Sequence, residues 1–147
     1  MAENEKCSAV WINENLSVDP KCDEESPDSQ KLVDRWNAVL DRCGSKDDVQ
    51  KKVTAKNQNN LACAFIWVYG TAGLSSANTF FNAALEVANK QSKADQIKII
   101  KRNLQIWERM DKVVPPGPVD TTAGMEIDRP GTMIGRENPC NLQTISD

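Results

Sequence analysis

Leu61-Ala62-Cys63-Ala64-Phe65-Ile66-Trp67-Val68-Tyr69 is apolar on every side. A run this short fits a central helix or a buried strand. Leucine and alanine open it, and its neighbours read as helices, so a helix at the centre of an all-α core is the expectation. Just before it, Asn57-Gln58-Asn59-Asn60 weakens the helical signal, because asparagine competes for backbone hydrogen bonds. The four are read either as a continuation of the helix or as a turn. Gly70 and Gly73 close the run.

The flanking segments supply partners for that helix. On its N-terminal side, Leu32, Val33, Trp36, Val39, Leu40 and Cys43 recur at steps of three and four, one face of a helix that Ser26-Pro27 opens and Gly44 closes. Ser45-Lys46-Asp47-Asp48 begins a weaker element carrying Val49 and Val53. On the C-terminal side, Ser75 or Ser76 caps a helix over about 77–90 whose inward face holds Phe80, Phe81, Ala84, Leu85 and Ala88. Ser92-Lys93-Ala94-Asp95 opens a last helix, about 93–113. It bears one stripe of Ile97, Ile100, Leu104 and Trp107 and a second of Ile99, Ile106 and Val113, which predicts contact with two neighbours.

These elements predict a compact bundle of four to five helices over residues 29–114. Residues 1–28 hold eight acidic and two basic residues, interrupted only by Ala9-Val10-Trp11-Ile12, and read as an extended acidic arm. Residues 115–147 carry Pro115, Pro116, Gly117, Pro118, Gly124, Pro130, Gly131, Gly135 and Pro139. That spacing forbids a long helix or strand and predicts an irregular Pro/Gly-rich tail. The chain has 147 residues, 39% hydrophobic and 27% charged, ordinary for one globular domain. No run approaches the roughly 18–20 apolar residues of a membrane helix, so no membrane insertion is expected.

The sequence contains no histidine. Ser-His, Cys-His and His-metal constellations are therefore excluded. Cys7, Cys22, Cys43, Cys63 and Cys140 are odd in number, and no two have the spacing of a zinc pair. They are read as free thiols in a reducing compartment. The acidic start Met1-Ala2-Glu3-Asn4-Glu5 does not resemble a signal peptide, and the expected location is cytoplasmic. No phosphate loop follows a strand, and nothing places two carboxylates together. The chain is read as not an enzyme, without cofactor, metal or small-molecule substrate.

Charge is distributed unevenly. Residues 31–113 hold fourteen basic and eight acidic residues, whereas the flanks hold four and thirteen, so the overall −3 conceals a cationic core. One basic group is Lys46, Lys51, Lys52 and Lys56. The other is Lys93, Lys98, Lys101, Arg102, Arg109 and Lys112, placed to follow a nucleic-acid backbone or else to form a solvated helix face. Trp11 and Ile12 stand apart in the acidic arm and are read either as an anchor at a subunit interface or as a segment folded back on its own core.

Trp107-Glu108-Arg109, then Pro115-Pro116-Gly117-Pro118-Val119, Gly124-Met125-Glu126 and Arg129-Pro130-Gly131, resemble the end of the fourth helix and the following proline-rich loop of retroviral capsid N-terminal domains. Ser26-Pro27 opening a Trp36-containing helix is also similar, and the resemblance spans about residues 26–135. Residues 45–60 would be an insertion, and no second capsid domain follows. The plan of a helical core with terminal arms also resembles small helical coat proteins of rod-shaped and filamentous viruses. The resemblance implies a structural, self-assembling viral capsid or nucleocapsid protein, a homo-oligomer in a virion whose basic helices meet single-stranded RNA. The alternative is a non-enzymatic helical adaptor or regulatory protein-binding module.

Overall fold

The computed structural model describes residues 7–113 and 141–146, with only the backbone at 111–113. The expected Pro/Gly-rich tail between 114 and 140, with Cys140, lies outside the described residues. Among the described residues the protein is all-helical. In chain order the helices are α1 (Ala9–Asn15), α2 (Pro27–Cys43), α3 (Lys46–Lys51), α4 (Ala55–Tyr69), a 3-10 turn (Gly70–Gly73), α5 (Leu74–Lys90) and α6 (Ala94–Val113).

Four long helices form the bundle. α4 lies between α2 and α5 and also touches α6, while α5 packs along α6. The central position of α4 follows from its composition: Leu61, Ala62, Cys63, Ala64 and Ile66 are all fully buried. Asn57–Asn60 belong to this helix. Thr54 caps it by accepting a hydrogen bond from the Asn57 N–H at 3.2 Å. Gly70, at φ 62°, ends it in a left-handed conformation.

The face of α2 read from the sequence is the buried one: Leu32, Val33, Trp36 and Val39 enter the core. Trp36 meets Phe80 of α5 edge to face, with ring centroids 5.2 Å apart and planes at 81°. α5 starts earlier than expected, at Leu74, because the 3-10 turn runs directly into it and occupies the place of a serine cap. Gly73 is required there. A Cβ at this position would fall on the Phe65 carbonyl of the preceding helix. The inward face of α6 runs between its two apolar stripes, through Ile100, Asn103, Ile106 and Met110, while Ile97, Ile99, Leu104 and Trp107 flank it half-buried.

Two expectations are corrected. Residues 1–28 are not simply an extended arm. Ser8 caps α1 through the Trp11 N–H, and Ile12, Leu16, Val18 and Cys22 are buried in the main core. The cysteines are not all free thiols. Cys7 is bonded to Cys43 and Cys22 to Cys63, with Cα–Cα separations of 5.7 and 5.2 Å. Spacing along the chain did not suggest these pairs, because each joins residues about forty positions apart that only the packed bundle brings together.

Candidate functional site

The second basic group of the sequence lies on one side of α6. At about 3.6 residues per turn, positions 98, 101, 102, 105, 109 and 112 share a face. Lys98, Lys101, Arg102, Gln105 and Arg109 are exposed. Lys112 continues the register, although its side chain lies outside the described residues. Lys93, just before the helix, is exposed and borders a cleft that also involves Asn13, Glu14, Thr54, Asn57 and Gln96. Among the described residues, Lys93, Lys98, Lys101 and Arg102 form no ion pair. Asp95 and Glu108 are exposed on the same helix, so the cationic face has acidic margins.

The first basic group is partly committed to the fold. The Lys52 ammonium donates to the Cys7 carbonyl at 2.9 Å, and Lys56 pairs with Asp19 at 3.1 Å. Both contacts tie the N-terminal segment to the bundle.

Trp11 and Ile12 do not form an exposed anchor. Ile12 is wholly buried within its own chain and Trp11 packs half-buried beside it. Asn13 fixes this orientation. Its amide donates to the Lys52 carbonyl at 2.9 Å, and its Oδ1 accepts from the Thr54 N–H and the Asn57 amide, both at 3.0 Å. The short apolar stretch therefore closes the end of the bundle where α3 meets α4.

A second arrangement was not legible as a site. Asn59 and Asn60 of α4 and Asn103 of α6 are fully buried and converge on residues 141–146, which carry no α-helix or strand. Asn60 donates to the Ile145 carbonyl at 2.9 Å and accepts from the Ile145 N–H at 3.0 Å. Asn103 makes the same exchange with Gln143, at 2.9 Å in each direction. Asn59 donates to the Gln143 carbonyl and to the Asn60 Oδ1, both at 3.1 Å, and accepts from the Asn103 amide at 2.8 Å. All three amides are thereby satisfied on both their oxygen and nitrogen, as burial demands.

Thr144 faces the loop after α1. Its hydroxyl donates to the Pro20 carbonyl at 2.8 Å and accepts from the Cys22 N–H at 2.9 Å. The Cys22 carbonyl in turn accepts from the Trp67 indole at 2.6 Å. Leu142 and Ile145 are both 2% exposed. The result is a slot walled by α4, α6 and residues 20–22, holding a segment by its main chain and two apolar side chains. The sequence signal was the asparagine run before the apolar helix, which weighed there only as a defect in helix propensity.

Among the described residues no group of three or more cysteine, aspartate or glutamate side chains converges as a metal site would require. No described helix is long and apolar enough to cross a membrane. No family model, curated protein or solved structure matches the chain.

Proposed function

We propose that the chain is a non-enzymatic, disulfide-stapled helical binding module that engages an acidic protein surface through the outer face of α6, in an oxidising compartment. The observation that carries this reading is the row of exposed cations at Lys98, Lys101 and Arg102, continued by Arg109, with no carboxylate among the described residues drawn onto the first three. Such a row attracts an oppositely charged surface and sets the register of docking more than it adds affinity. Asp95 and Glu108 at its margins favour a protein partner, whose surface carries both signs, over a phosphate backbone, which would repel them. The two disulfides support the oxidising compartment, where such bonds persist.

The coat-protein reading drew on Trp11 and Ile12 as an anchor for neighbouring subunits, and it has less support with Ile12 in its own core and Trp11 half-buried beside it. The two readings separate by experiment. Full-length protein is titrated against a labelled acidic peptide and against single-stranded RNA of equal charge, over a range of salt. Selective binding to the peptide, weakened at least tenfold in the variant K98E/K101E/R102E, supports the binding module. Preference for RNA, together with filaments or shells in electron micrographs, overturns it in favour of a coat protein. Binding to neither probe removes the α6 face as the site.

A further inference from the structure

Asn59, Asn60 and Asn103 recognise main chain. Every hydrogen bond they make to residues 143 and 145 goes to an N–H or a carbonyl. Alternate residues thus present their main chain to the asparagines while Thr144 binds the opposite wall, the pattern of an extended peptide. The side chains that matter are few: apolar at 142 and 145, and a hydroxyl at 144. The slot is therefore a built peptide site with a definable ligand, an extended segment reading apolar, any residue, threonine, apolar.

The chain's own segment meets that definition, and nothing in the recognition depends on which copy supplies it. The contacting groups belong to residues 20–22, 59–60 and 103, whereas the ligand joins α6 only through residues 114–140. The connection does not bar a segment from another chain's slot, and the preference for its own is set by the effective concentration that the connection imposes. An empty slot would cost the three buried amides the five hydrogen bonds they make to residues 143 and 145, which strongly favours keeping it filled. We propose that the slot accepts residues 141–146 of a second copy of this chain, so that two chains exchange C-terminal segments and each completes the other's core. The exchanged contacts are the same ones made within a chain, which makes this a low-cost route to a dimer. Covalent attachment presents a chain's own segment at an effective concentration on the order of 1 mM, so exchange grows as the protein approaches that concentration or when chains refold together.

The test uses full-length chains with photo-leucine at position 142. Heavy-isotope and light chains are mixed, unfolded with disulfides intact, refolded together at about 1 mM, and irradiated. Crosslinks from position 142 are then mapped by mass spectrometry, and sedimentation measures the dimer. The expected result is crosslinks joining heavy tails to light slots, in a dimer that the variant L142D/I145D does not form. Should that variant fail to fold, the crosslinks still decide, because the photo-leucine chains keep the native tail chemistry. Crosslinks confined to heavy–heavy and light–light pairs at every concentration overturn the proposal. So does equal dimerisation by a folded L142D/I145D chain.

Discussion

The side-chain amide of Asn60 and the main chain of Ile145 exchange two hydrogen bonds, 2.9 and 3.0 Å long, across a separation of 85 residues. An amide side chain here does what a neighbouring strand would do in a sheet. Replacing Asn60 by alanine removes both bonds and orphans a buried N–H and carbonyl. The expected loss is about 2–6 kcal/mol of stability, from roughly 1–3 kcal/mol for each of the two buried polar groups left unpaired. Urea unfolding measures the loss, and hydrogen exchange at the Ile145 amide should accelerate more than at the buried amides of α5. Unchanged exchange at Ile145 would show that the pair does not hold the segment.

The two disulfides should differ in their resistance to reductant. Cys22 and Cys63 are fully buried, whereas Cys7 and Cys43 are half-buried. Graded dithiothreitol followed by alkylation and mass mapping should label Cys7 and Cys43 first, with Cys22 and Cys63 opening only on global unfolding. Each bond closes a loop of about forty residues, worth about 4 kcal/mol in the loop-entropy description, so loss of either should lower the melting temperature markedly. Labelling of all four at once would mean that the bundle opens as a whole before either bond is attacked.

Gly73→Ala and Gly44→Ala make a matched pair of tests. At Gly73 the new methyl would collide with the Phe65 backbone, which cannot yield without moving α4 against α5. At Gly44 the space is open and the cost is conformational, because φ is +82°. The expected losses are about 1–3 kcal/mol or more at Gly73 and about 1 kcal/mol at Gly44. Thermal melts of the two variants should therefore separate, with Gly73→Ala the lower. The reverse order would contradict the close approach of the 3-10 turn to α4.

Ile12→Ala distinguishes a core residue from an interface anchor. Removal of a fully buried isoleucine should cost about 2–5 kcal/mol. If Ile12 serves only its own core, sedimentation of the folded variant will match wild type at equal concentration. A change in oligomeric state with no loss of stability would restore its reading as a subunit contact.

The main helices were legible from their apolar spacing more than from their caps, since the Ser26 side chain makes no cap hydrogen bond and α5 starts at Leu74 without a serine cap. Leu32 to Val39 gave the face that α2 buries, and the all-apolar run after Asn60 gave the central helix. Less was legible wherever a residue's role depended on a distant partner. Asn103 sits on the inward face of α6, where an apolar side chain would be expected, and the main chain of Gln143 together with the Asn59 amide explains it. Trp11 and Ile12 were ambiguous for the same reason, since burial depends on neighbours far away in sequence. The cationic row on α6 was legible as a helix face, but that no carboxylate among the described residues pairs with Lys98, Lys101 or Arg102 emerged only from the folded arrangement.

The order of the bonded cysteines has a consequence for a chain exposed to proteases. Along the sequence they run Cys7, Cys22, Cys43, Cys63, paired first with third and second with fourth, so the two covalent loops overlap. Any single cut between residues 7 and 63 leaves the two pieces joined by at least one bridge. A nicked molecule therefore keeps its mass on a non-reducing gel and separates into fragments only when reductant is added. The overlap makes the N-terminal part of the fold tolerant of backbone breaks, a protection that does not extend to α5 and α6.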